Sequence, residues 1–397
     1  MWYKNIRLVD DNQDFIGDIC FKNGIIIAIG KNICQDTDAI DFKRFSQYVL
    51  FPAFTDLHAH FRDPGFTYKE DLHSGSRAAL KGGYTAVNLM PNTKPVCSSM
   101  EIVHDVENRA KEIGLITVNQ TLSMTKNLQG QDFEHLKHLQ KGEVLFVTDD
   151  GRGVSDDEVM REIFTICKEK DAAIMCHAED PKFSKTDMRV AENNMTFRDI
   201  NLFKEIGGHL HFCHVSTKEA IEAIRKAQKE GHHVTCEVTP HHLFATGSEV
   251  NHYRVNPPFR EQEDIESLIL ALKDGVACAI ATDHAPHTQE EKEAGAPGMI
   301  GLELAFPLCY TKLVKNNYLS LNQLVDKMST QPSRLMQLNK GKLQVGMDAD
   351  FAIFDIENEF TVFEDLFESK SVNSPFIGRK VFGKIIQTIR KGIIFQW

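Results

Sequence analysis

The stretch Leu50–Gly65, LFPAFTDLHAHFRDPG, decides how the rest of the chain is read. An apolar run, Tyr48 to Phe54, leads into Asp56-Leu57-His58-Ala59-His60. The run predicts a buried strand of the parallel kind. Side chains two apart on a strand point the same way, so His58 and His60 are expected to project together from its end, with Asp56 below them on the same face. Two adjacent imidazoles make half of a metal site. Arg62 follows where the strand opens into a loop, ahead of the turn-forming Asp63-Pro64-Gly65.

Downstream, apolar runs alternate with amphipathic segments that begin at helix-capping residues. Counting from residue 50, strands are expected near 52, 87, 118, 146, 174, 211, 236 and 279. Helices are expected to open at the capping pairs Ser98/Glu101, Ser155/Glu158 and Ser216/Glu219. Eight strand–helix units in sequence predict an α/β fold, a closed (β/α)8 TIM barrel over residues 50–340. Residues 1–49 and 341–397 read instead as short strands separated by turn residues. The two ends are expected to combine into one small β-sandwich domain beside the barrel. Residues 288–301, TQEEKEAGAPGMIG, are polar and glycine-rich at the top of the last strand, and are read as either a mobile active-site loop or a solvated surface loop.

Polar residues collect at one end of this frame. His58, His60, Asn92, Asp150, His177, His214 and Asp283 all fall at the C-terminal ends of their strands, where barrel enzymes build active sites. Nitrogen and carboxylate donors without thiolate favour Zn²⁺, with Mn²⁺, Co²⁺ or Fe²⁺ open by chemistry. Six donors exceed the needs of one tetrahedral ion and suit two ions sharing a carboxylate. Cys176 and Cys213 each precede a proposed donor, and strand alternation is expected to turn both outward toward the helices.

Composition narrows the partners. The chain has 397 residues, 42% hydrophobic and 25% charged, with a net charge of −11. An acidic balance without a basic block argues against nucleic acid or an anionic membrane surface. The first residues break into charge before a long apolar core forms, so no signal peptide is expected. No window is apolar enough to span a membrane. Nine cysteines without CxxC spacing suit free thiols in a reducing cytoplasm.

TDLHAHFRDPG, NLMPNTKPV, FVTDDG, CHVSTKEA, EVTPHHL, NPPFR and IATDHAPH together resemble the amidohydrolase superfamily and, within it, the dihydroorotases, over nearly the whole chain. The likeness is to the bacterial type whose bridging ligand is an aspartate rather than a carboxylated lysine, since GEVLFVTDDG holds no lysine. The resemblance implies that His58, His60 and Asp283 bind one zinc ion, that His177 and His214 bind a second, and that Asp150 bridges them, with Asp149 the weaker choice. It makes Arg62 and Asn92 the pair that binds a substrate carboxylate, and Asn256 and His287 further substrate contacts. It implies reversible hydrolysis of dihydroorotate to N-carbamoyl-aspartate by a metal-bound hydroxide in pyrimidine synthesis, with Asp283 moving the proton. A homodimer, and aspartate carbamoyltransferase as a partner enzyme, come with the same resemblance.

Two other functions are open to a chain of this kind. An allantoinase or dihydropyrimidinase has a substrate lacking the carboxylate that Arg62 would bind. A non-catalytic scaffold for the transcarbamoylase would be expected to lose metal ligands, and this chain keeps six. One departure is local: only 36 residues, 178–213, separate His177 from His214. The piece Asp180 to Ile206 is therefore expected to be trimmed or partly disordered. His73, His104, His135, His138, His232 and His233 match no motif, while His241, His242 and His284 are expected to support the site by hydrogen bonding.

Overall fold

A computed structural model describes every residue of the chain except Arg44 and Ser46. Eight parallel strands form the barrel: β1 (Phe54–Ala59), β2 (Tyr84–Leu89), β3 (Thr117–Gln120, resuming at Leu122–Ser123), β4 (Phe146–Thr148), β5 (Ala173–Cys176), β6 (Leu210–Phe212), β7 (Val234–Val238) and β8 (Ala279–Ile280). The bend in β3 lets it pair with β2 through its first half and β4 through its second. The ring closes where Ala59 bridges His284 and the His60 N–H donates to the His284 carbonyl at 2.8 Å. Most strands are buried along their whole length, as expected for parallel strands covered on both faces.

The predicted helices are present, each capped one residue later than the sequence suggested. Met100–Ile113, Asp157–Lys170 and Lys218–Lys229 take Ser99, Asp156 and Thr217 as N-caps. The displaced residues serve elsewhere: Ser216 binds the buried Glu192 and accepts from Arg260 Nε at 2.9 Å. Asp180 to Ile206 is not disordered. It carries a 19-residue helix, Met188–Ile206, capped by Asp187 and packed by Ala191, Met195 and Phe203.

The opening stretch divides in a way its apolar run concealed. Tyr48–Pro52 pairs antiparallel with Phe351–Thr361 and parallel with Trp2–Val9, and only from Phe54 does the chain enter the barrel. A continuous apolar run hid two strands in two sheets, because both are buried and hydrophobicity alone marks no break. The remaining strands of the small sheet are Asp14–Lys22, Ile25–Gly30, Ile40–Asp41, Lys380–Arg390 and Ile393–Gln396. The sheet curls over one core. Phe21 and Phe351, on strands three places apart in the sheet, meet ring to ring at 5.5 Å, and Tyr3 Oη donates to Gln387 Oε1 at 3.0 Å. Phe51, Phe54, Phe306 and Phe354 join sheet to barrel, with Phe306 and Phe354 rings 4.1 Å apart. No helix among the described residues is long and apolar enough to cross a membrane.

Candidate metal centre

Alternation brings most of the predicted donors inward. On β4 and its extension Phe146 and Asp150 share the inner face, as do Ala173, Met175 and His177 on β5, and Ala279, Ala281 and Asp283 on β8. Alternation fails at two strand ends. On β1 the pairing register shifts between Asp56 and Ala59. Leu57 and His58 both face the barrel interior, and Asp56 turns away to accept from Thr282 N and Oγ1 at 2.9 and 2.5 Å. After β6, His214 takes φ 35°, so Cys213 and His214 both point inward. Cys213, expected on the helix side, lies against His58. Burial pushes its thiol up to about 12, so at neutral pH it is a protonated, weakly ligating group. Cys176 does face outward, toward Asp199 of the covering helix. Arg62 and Asp283 also occupy the left-handed region, at φ 60° and 49°. That conformation is strained for residues other than glycine and concentrates at functional sites.

Three imidazoles are each anchored by one ring nitrogen, leaving the other for the centre. His58 Nδ1–H donates to Glu237 Oε1 at 2.9 Å. His60 Nδ1–H donates to Asn92 Oδ1 at 2.9 Å. His177 Nε2–H donates to Glu179 Oε2 at 2.8 Å. The bare nitrogens converge on two carboxylates. His58 Nε2 lies 3.4 Å from Asp150 Oδ1 and 3.7 Å from Asp283 Oδ1. His60 Nε2 lies 3.2 Å from Asp283 Oδ1 and 3.6 Å from Asp150 Oδ2. His177 Nδ1 and His214 Nε2 are 2.9 Å apart, and each is 3.5 Å from Asp150 Oδ1. Asp149 faces away, accepting from Thr125 N at 2.9 Å and from its hydroxyl. Asp150 is thus the carboxylate that meets the histidines.

This arrangement fits a divalent cation. His58 Nε2 and Asp150 Oδ1 are buried without a hydrogen-bond partner, a costly state that a cation between them relieves. Donor–donor spacings of 2.9–3.7 Å match the edge, about 3.3 Å, of a tetrahedron of donors around zinc. An anchored second ring nitrogen is the usual companion of a metal-ligating histidine. His58, His60 and Asp283 form one cluster of ligand atoms within 4.8 Å, and His58, Asp150 and His214 another. Burial opposes charge and is the largest influence on His58, yet Asp150 and Cys213 together outweigh it and hold His58 well above its usual range. Asp150 itself is held well below the carboxylate range against burial, chiefly by His58. A field that forces protons onto buried imidazoles is also one that retains a metal cation.

A cavity of about 220 Å³ opens above the cluster, lined by every predicted site residue except His58, which is fully buried beneath it. Among the described residues Arg62 is the single Lys or Arg in that lining. Its guanidinium donates to Pro286 O at 3.2 Å and His287 Nε2 at 3.3 Å, so it meets no carboxylate among the described residues. Burial, then Arg62, pulls His287 down to about 4, keeping the ring neutral. Asn92 Nδ2 reaches Asp150 Oδ2 at 3.3 Å, so this amide binds two cluster residues while standing in the cavity wall. Asn256 Nδ2 donates to Glu179 Oε2 at 2.8 Å, and its Oδ1 is buried without a partner. His242 hydrogen-bonds Thr239 and Pro257, and His284 bonds Glu70, while His241 Nε2 has no partner. Pro297 and Gly298 complete the wall. The polar 288–301 segment is ordered there, with a short helix, Gln289–Glu293, closed by a Thr288–Glu291 capping box.

Sequence reasoning missed Glu237, Glu179 and His211. Glu237 accepts from His58 and, at 3.3 Å, from His211 Nε2, and both histidines are fully enclosed in the barrel. A carboxylate inside an apolar strand, two residues before its mouth, was the available signal. Glu179 follows His177 at the spacing of a shared face.

Comparison with known proteins gives the family. The Amidohydrolase family model matches residues 49–394. A dihydroorotase of Clostridium botulinum is 51% identical over 98% of both chains. One from Acetivibrio thermocellus is 37% identical over 99% of this chain and 98% of its own. The latter alignment spans 418 positions against 397 residues here, so that relative carries segments this chain lacks. Among solved structures, an L-hydantoinase (dihydropyrimidinase) of Arthrobacter aurescens superposes with a TM-score of 0.86 at 27% identity, covering 99% of this chain and 95% of its own. A D-hydantoinase of Bacillus sp. AR9 reaches 0.88 at 24% identity, covering 99% and 94%, and bears on the fold alone. The chain belongs to the amidohydrolase family of metal-dependent cyclic amide hydrolases, and within it to the dihydroorotases.

Proposed function

We propose that the chain catalyses reversible hydrolysis of dihydroorotate to N-carbamoyl-aspartate, the ring-opening and ring-closing step of pyrimidine synthesis, with two zinc ions at the centre. The observation that carries the substrate is Arg62. A guanidinium without a carboxylate partner, in the wall of a cavity above buried acids, is a reserved site for an anionic substrate. Neutral dihydrouracil and allantoin bring no carboxylate to pair with it. The missing lysine at the bridging position separates the chain from hydantoinase chemistry, and the complete donor set opposes a non-catalytic scaffold.

His58, His60 and Asp283 would hold one ion, His177 and His214 the other, and Asp150 both. When bound, the metal supplies Lewis acidity toward the scissile carbonyl and a water acidic enough to attack at neutral pH. The remaining work falls to this chain's side chains. Arg62 grips the substrate carboxylate and sets the ring's orientation. Asn256 Oδ1, buried and unpaired, accepts from a ring N–H. Asp283 is held ionised against burial by the histidines around it, His60 first and then His58 and His214. Its carboxylate takes a proton from the attacking water and returns it to the departing ring nitrogen. His287, neutral and bonded to Arg62 and to Glu291 at 3.2 Å, keeps the guanidinium aimed into the cavity. Nine unpaired cysteines suit a reducing cytoplasm, and a homodimer, with aspartate carbamoyltransferase as a partner, completes the proposal.

A substrate panel tests it. Dihydroorotate should be opened, and dihydrouracil and allantoin left intact. Comparable kcat/KM on either neutral ring would move the chain to another cyclic amidase.

A further inference from the structure

Lys292 lies outside the catalytic cluster, on the short helix of the 288–301 segment. Its ammonium has three protons, and each meets a backbone carbonyl: Arg254 O at 2.9 Å, Ala296 O at 2.7 Å and Gly298 O at 2.8 Å. Nζ also sits 4.2 Å from the centroid of the Tyr253 ring, a close cation–π contact. Burial pulls this ammonium down to about 8, so the charge is kept at some cost and repaid by its acceptors. The acceptors come from two segments that line the cavity. Arg254 lies two residues before Asn256, and Ala296 and Gly298 flank Pro297. A main-chain bond, Gly298 N to Arg254 O at 3.1 Å, runs between the same segments. The join is tight. Gly298 has φ +126°, and a Cβ there would come within 2.8 Å of Ala285 Cβ and 3.3 Å of His287.

We propose that Lys292 is a latch, a positioning residue that holds the Asn256 loop and the Pro297–Gly298 turn together as one cavity wall and so sets affinity for the substrate. The substrate part of this inference rests on the function proposed above, whereas the latch itself does not. Without the ammonium, one main-chain bond and local packing remain to hold the turn against Arg254. The wall then opens more often, and binding must reclose it. Lys292 touches neither the metal cluster nor the cavity, so chemistry in the closed state should proceed as before.

The test uses Lys292→Met, which keeps the stem and removes the charge, with Lys292→Arg as the charged comparison. Amide hydrogen exchange over residues 294–300 should accelerate about tenfold or more in the Met variant, with the barrel strands unchanged. The KM for dihydroorotate should rise about tenfold, with kcat and zinc content near wild type. The Arg variant should lie between, because a planar fork does not meet three carbonyls converging on one nitrogen. Unchanged exchange in the Met variant overturns the latch, and faster exchange with unchanged KM overturns its role in affinity. If the wild-type protein fails to open dihydroorotate, the function proposal falls, and exchange alone decides the latch.

Discussion

Glu237 offers the sharpest test of how the barrel core serves the metal centre. Its carboxylate accepts from His58 at 2.9 Å and His211 at 3.3 Å, with all three side chains buried. The bond to His58 holds that ring in the tautomer whose Nε2 is bare toward Asp150 and Asp283. Replacing Glu237 by Leu removes both bonds and frees His58 to carry its proton on Nε2, where it blocks a ligand position. A hydrogen bond to a charged group is worth about 1.5–3 kcal/mol, and losing such an outer partner lowers metal affinity about 10–100-fold. Glu237→Gln keeps an amide oxygen for His58 but loses the charge, and turns an N–H toward His211. The expected order is therefore a loss of about tenfold in zinc affinity for Gln and about a hundredfold for Leu, since each tenfold is about 1.4 kcal/mol. Competition with a chromophoric chelator measures both, with thermal melting to confirm the fold. Zinc affinity of a folded Leu variant within twofold of wild type would refute the reasoning.

Asp150→Ala should lower bound zinc toward zero, because Asp150 faces both histidine pairs; full zinc occupancy measured on the folded variant would remove it as the bridge. Arg62→Ala should raise KM for dihydroorotate by about a hundredfold, roughly the worth of a charge-assisted pair, with zinc content unchanged, and a wild-type kcat/KM would end its carboxylate role. Gly65→Ala should cost more than about 2 kcal/mol of stability. At φ +96° its Cβ would stand 2.0 Å from Lys94 O, prying the Arg62 loop from the Asn92 loop, and a denaturant midpoint equal to wild type would contradict that contact.

Much of the centre was legible because strands impose a period of two and barrels place their mouths at one end. Asn92, Asp150, His177 and Asp283 followed from that rule directly. Asp56 and Cys213 did not, since the register shift in β1 and the left-handed His214 put neighbouring side chains on one face. Neither irregularity leaves a mark in hydropathy. The Tyr48–Phe54 run hid a change of sheet for a related reason: partners far along the chain, Phe351–Thr361 and Trp2–Val9, decide which sheet a buried strand joins. The helix caps slipped by one because serine, threonine and aspartate stood side by side, and tertiary contacts such as Ser216 with Glu192 chose among them. Glu237 was missed because its partners, His58 and His211, lie on other strands that only the closed barrel brings near, whereas Glu179 stands two residues from its partner His177 and could have been found from that spacing.

The most direct test is turnover of dihydroorotate, followed by its ultraviolet absorbance, as zinc is returned to chelator-stripped protein. Activity should be absent in the stripped protein and rise with added zinc to a plateau near two ions per chain. Full turnover without metal, or none in the fully loaded protein, would contradict the account.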